Sequence, residues 1–121
     1  MSPDRLIDDN LHDILEAARK ALVFVDGMTE GSFADDEKTV FAAIRALEIV
    51  GEAARRIPNS YREQHPEIPW REMTGTRDKL IHDYFGVNIG VIWTTIHEDL
   101  PPLIESIQRL LEIGRDSPSN Q

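Results

Sequence analysis

Apolar side chains that return every three or four residues, over stretches too long for a strand, most limit what this chain can fold into. Leu11, Ile14, Leu15, Ala18, Leu22 and Val25 form one such stripe, which predicts an amphipathic helix over roughly 4–26. Val40, Ala43, Ile44, Leu47, Val50, Ala54 and Ile57 form a second, opened by Asp35 or Asp36 as N-cap and stopped by Pro58 and Asn59. A third runs from Ile89 through Ile92, Trp93, Ile96, Leu100, Leu103, Ile104, Ile107, Leu110 and Leu111, with Asn88 as its cap. Pro101 and Pro102 fall inside this last stripe and must kink or divide it. No stretch alternates convincingly with period two. The expected class is therefore all-α, an antiparallel bundle of four to five helices.

Between the stripes the punctuation is short. Gly27 and Gly31 mark "GMTEGSFADD" as a loop. Ser60 and Glu63 have capping-box spacing, which predicts a single helical turn before Pro66. Pro69 suits the first position of a helix over "WREMTGTRDKLIHDY", which Gly75 could break, leaving Thr76 to cap the remainder. Gly51, inside the second stripe, suggests close helix–helix approach. With 121 residues the chain suits one core, read as a single helical domain over 1–114 and a flexible tail over 115–121.

Composition excludes some chemistry. Without cysteine there is no disulfide framework, thiolate nucleophile or Cys-ligated metal site, a usage compatible with a reducing cytoplasm. The acidic start "MSPDRLIDDNLHD" reads neither as a signal peptide nor as a membrane span. His12, His65, His82 and His97 are scattered, with no H-x3-H pair and no carboxylate at metal-ligand spacing, so no metal or other cofactor is expected. Ser32, Ser60 and Ser106 lack a nucleophile-elbow context, and "GMTEG" is no phosphate-cradling loop. Trp70 and Trp93, lying on helical stripes, are expected in a core or an interface. The net charge of −9 opposes nucleic-acid binding at first sight, because phosphate contacts need Lys and Arg. Its distribution is uneven: residues 1–54 carry −7 and 80–121 carry −4, whereas 55–79 carry +2. An acidic shell around a basic groove can still bind an anion locally.

That net-positive stretch runs into "RDKLIHDYFG", residues 77–86, in which Arg77, His82 and Tyr84 have the spacing R-x4-H-x-Y. On a straight helix Arg77 and Tyr84 share the apolar face with Leu80 and Ile81, and Asp78 neighbours His82 one turn on. A guanidinium on an apolar stripe must meet either a carboxylate, such as Glu48 or Glu52, or a water-filled cleft that takes an anionic ligand. In the second case arginine offers forked donors to phosphate oxygens, and histidine can exchange a proton near neutral pH. Such a pair suits metal-independent RNA cleavage, in which the substrate's own 2′-hydroxyl attacks its phosphate. Roughly 140° of arc separates Arg77 from His82 on a straight helix, a gap the long arginine or a loosened helix would have to close.

Three separated blocks, "ALEIVGEAARRI", "IPWREMTGTRDKLIHDYFGVN" and "VIWTTIHEDLPPL", resemble the HepT-like branch of the HEPN superfamily over about residues 35–111. The resemblance implies a helical-bundle ribonuclease toxin, usually a homodimer with the motif in a cleft at the dimer interface. It implies a partner antitoxin of the minimal nucleotidyltransferase (MNT) type. Carried onto this chain, Arg77 and His82 are the catalytic pair, and Tyr84 is the tyrosine that receives adenylyl groups from the partner. Asp78 stands where the family often has Asn; it repels phosphate but could orient His82. The contrasting reading is a catalytically weak helical module that binds a nucleotidyltransferase or a nucleotide. The intact pair favours the toxin, and the charge of −9 favours the module.

Overall fold

The computed structural model describes residues 3–75 and 88–115. All of the regular structure among them is helical, as the stripes require. Helix α1 (Pro3–Val25) begins with proline at its first position, where the missing N–H would have had no helical partner. It buries Leu11, Ile14, Leu15, Ala18 and Val25 of the predicted stripe, with Ala17 and Ala21 beside them. Asn10 is buried within this face, and its Nδ2 donates to the Leu6 carbonyl at 2.9 Å. The helix ends at Gly27, whose φ of +76° is open to glycine at no steric cost.

The loop expected over 27–36 is instead largely helical. Helix α2 (Glu30–Asp35) is opened by a capping box: Ser32 N–H donates to Thr29 Oγ1 at 3.1 Å, and Thr29 N–H donates to Ser32 Oγ at 2.9 Å. Phe33 is the reason for this extra turn. Its fully buried ring gains about 1.5–3 kcal/mol over an exposed one, enough to hold a short helix that propensity alone would not.

Helix α3 (Glu37–Arg56) starts where Asp36 Oδ1 accepts the Thr39 N–H at 3.1 Å. It ends at Ile57, which the following proline keeps extended at ψ 129°. Among the described elements helices α1 and α3 make the largest contact, and α1 also meets the chain from Thr95 onward. Helix α4 (Asn59–Gln64) corrects the expected capping box, because Ser60 lies inside the helix. Its position before the helix is taken by Pro58, whose carbonyl accepts the N–H groups of Tyr61 and Arg62, each at 3.1 Å. A further helical segment, α5, is described over 70–75, one residue after Pro69. The break expected at Gly75 and Thr76 lies at the edge of, and outside, the described residues.

Asn88 caps α6 (Ile89–Thr94) as expected, its Oδ1 accepting the Val91 N–H at 3.2 Å. The two prolines do not interrupt the helix; they change its pitch. A π-turn spans Thr95–Asp99, and the Leu100 N–H reaches back five residues to the Thr95 carbonyl. Pro101 has no N–H to give and would crowd the carbonyl four residues earlier, so a widened turn there relieves both problems. Helix α7 (Leu100–Arg115) continues directly, burying Leu100, Leu103, Ile107 and Leu110. It runs one residue past the boundary expected at 114, and 116–121 lie outside the described residues.

Candidate functional site

Arg77, Asp78, His82 and Tyr84 all fall within 76–87, outside the described residues. The structure describes the two elements from which that segment is hung. On the entering side, α5 is anchored by Trp70, a mostly buried ring whose Nε1–H donates to the His65 carbonyl at 2.9 Å. Ile68 and Met73 are buried on either side of it, and Thr74 Oγ1 returns to the carbonyls of Trp70 and Arg71 at 3.2 and 3.1 Å. On the leaving side, the Asn88 cap is followed by fully buried Ile92. Trp93 is then held between Phe33 and His97, with ring centroids 5.5 and 4.0 Å away. Both tryptophans thus pack, in keeping with the helical stripes they occupy.

His97 sits in the π-turn, and its Nδ1 is 2.9 Å from the Trp93 carbonyl. A carbonyl can only accept, so Nδ1 carries the proton in the neutral ring and Nε2 is its acceptor nitrogen. On α4, the Tyr61 ring lies 4.5 Å from His65 and edge-on to Trp70 at 6.5 Å. Burial, and secondarily the charges of Asp8 and Glu67, raise the Tyr61 hydroxyl above its ordinary pKa. Glu52, one of the two carboxylates considered for Arg77, lies 3.5 Å from Arg45.

A cavity of about 380 Å³ adjoins the entering side. Leu47 and Val50 of α3, Met73 of α5, and Leu100 and Leu103 of α7 provide apolar lining, and Asp99 of the π-turn lies on its rim. Three separated stretches of chain build it, so no local pattern could have announced it. Among the described residues no group of three His, Asp or Glu side chains is placed to hold a metal ion. No described helix is long and apolar enough to cross a membrane.

The family model described as Ribonuclease HepT-like matches residues 14–110. A protein of Thermococcus cleftensis named "Probable ribonuclease HepT" is 51% identical over 102 residues, covering 84% of this chain and 93% of its own length. A protein of Caldanaerobacter subterraneus subsp. tengcongensis named "Putative RNase TTE0752" is 40% identical over 102 residues, covering 84% of this chain and 91% of its own. No solved structure matches significantly. The chain belongs to the HepT-like ribonuclease family.

Proposed function

We propose that the protein is a metal-independent endoribonuclease and the toxin of a toxin–antitoxin pair. The observation that carries this reading is that the family match spans a stretch in which R-x4-H-x-Y is intact. His82 moves protons between the substrate 2′-hydroxyl and the leaving oxygen, and Arg77 stabilises the charge developing on the phosphate. Asp78, one turn before His82, orients the imidazole. In a twofold homodimer two copies of the motif face one cleft, so that one His82 acts as base and the other as acid. This division of labour also removes the geometric difficulty of joining Arg77 to His82 on a single helix.

The partner is a minimal nucleotidyltransferase, and Tyr84 is the residue it adenylylates. An adenylyl group on Tyr84 places a phosphodiester beside Arg77 at an effective concentration on the order of millimolar, and the nucleotide blocks the substrate path. Inhibition is then local and needs no change of fold. The net charge of −9 supports a second reading, a weakly catalytic module that docks on its nucleotidyltransferase.

Cleavage of a labelled RNA by the purified chain, alone and with excess chelator, tests the assignment. Products should end in 2′,3′-cyclic phosphate, and Arg77→Ala should abolish them. Cleavage that requires Mg²⁺, or that survives loss of both Arg77 and His82, would falsify this mechanism. Tyr84→Phe should still cleave RNA yet escape an active nucleotidyltransferase. The intact mass of co-expressed wild type should rise by about 329 Da per adenylyl group.

A further inference from the structure

The cavity beside α5 is apolar at its floor and acidic at its rim. Leu47, Val50, Met73, Leu100 and Leu103 are buried, whereas Glu67, Glu72 and Asp99, which also line it, are exposed. Among the described residues no lysine, arginine or histidine lines it. Glu67 has a neighbour in His65, whose Nδ1 is 3.3 Å from its Oε1, but His65 stands outside the lining. Glu72 belongs to α5 and Asp99 closes the π-turn, whose first residue, Thr95, lines the cavity too. Widened turns of this kind are frequent at functional sites. The volume of about 380 Å³ falls within the range of binding clefts, roughly 300–1,000 Å³.

Charge limits what can sit there. RNA is repelled by three carboxylates with no cation in the lining to meet its phosphates. A second copy docked about a twofold axis through the cavity would set the acidic rim against itself, and such an interface has to be self-complementary. An uncharged apolar occupant would cover the floor but strip water from the carboxylates around it, with nothing in return. A small amine meets one carboxylate at a time. A polypeptide segment can instead seat an apolar anchor on the floor and turn basic side chains toward Glu67, Glu72 and Asp99 together.

We infer that the cavity between α3, α5 and the π-turn docks a segment of a partner polypeptide in which an aliphatic or aromatic anchor is flanked by lysine or arginine. The anchor packs on Leu47, Met73 and Leu103, and the flanking cations face Glu67, Glu72 and Asp99. Opposite charge speeds the encounter and orients the segment, while the buried anchor supplies most of the affinity. Neither RNA nor its cleavage enters this docking, so it stands or falls separately from the ribonuclease reading.

Met73 lines the cavity and Met28 does not, so methionine methyl labelling supplies both a reporter and an internal reference for an NMR titration. The probe is a peptide with a pair of leucines between two pairs of lysines. It should shift the Met73 methyl signal saturably and leave that of Met28 in place. Matched peptides with serine for the leucines, or glutamate for the lysines, should leave Met73 unmoved. The Glu67→Gln, Glu72→Gln, Asp99→Asn triple variant should bind the lysine peptide about tenfold more weakly, as three exposed ion pairs of modest strength allow. An Asp13→Asn, Asp26→Asn, Glu30→Gln variant, with the same change of net charge outside the lining, should bind it like wild type. No Met73 shift with the lysine peptide, an equal response to the glutamate peptide, or an equal loss in the control variant would overturn the docking site. A Met73 shift that follows protein concentration without peptide would give this face to a second copy. One produced by a 2′-O-methyl oligoribonucleotide would give it to RNA, and either result overturns the inference.

Discussion

Along α1 and α3 the buried positions are filled by Ala17, Ala18, Ala21, Ala43, Ala46, Ala53 and Ala54 between larger aliphatics. Between Arg56 and Gly75, by contrast, the chain turns on Pro58, Pro66 and Pro69 and buries only Ile57, Ile68, Trp70 and Met73. The first region is a long regular interface whose charges stay on its outer side. The second is a short corner held by a few large side chains. Stability and function are therefore expected to reside in different places. The helix pair sets whether the molecule folds, and the corner sets how the chain enters and presents the motif segment.

Substitutions that affect one property and spare the other test this division. The largest effect should be kinetic: His82→Ala should lower RNA cleavage by roughly 10²–10⁴-fold with an unchanged melting temperature. A parallel fall in melting temperature would make His82 a packing residue and remove the contrast. Next, Ile14→Ala should empty a fully buried site in α1 and cost about 2–5 kcal/mol in chemical denaturation. Its cleavage rate per folded molecule should match wild type.

Trp70→Phe should have a smaller effect, because a ring remains but the donor to the His65 carbonyl is lost. The expected cost is about 1 kcal/mol, and cleavage should fall measurably because α5 leads directly into the motif. Equal effects of Trp70→Phe on stability and on activity per folded molecule would place the corner with the core. The smallest effect concerns Asp36, at the start of α3. Hydrogen bonds from Thr39 hold its carboxyl below the usual value of 3.8. A depressed folded pKa gives stability that is present above the unfolded pKa and lost as pH falls through the folded one. Melts of wild type and Asp36→Asn should thus differ near neutral pH and converge below about pH 4.

Much of the helical core could be read along the chain because its evidence is local. The stripe from Leu11 to Val25 names α1 to within a residue at either end, and the Asn88 cap appears where its side chain and the following apolar run put it. The expected capping box at Ser60 fails because Pro58, two residues earlier, already provides a carbonyl to start the turn. The charge asymmetry over 55–79 pointed to the motif it runs into, but it could not say which cations are paired. Ion pairing depends on where carboxylates from other turns fall, as Glu52 does seven residues from Arg45.

Periodicity, proline placement and the order of three separated sequence blocks in this chain determined its helical class, its long helices and its family. Those signals act within one element, or along the chain, and need no knowledge of what lies across the core. The tertiary structure alone decided that 30–35 is helical, because Phe33 found a fully buried site. It also decided that Pro101 and Pro102 would be met by a π-turn within a continuing helix. The cavity between α3, α5 and α7 likewise exists only once those elements have come together. Each of these outcomes turns on side chains distant in sequence competing for the same volume, and a one-dimensional pattern carries no measure of that volume.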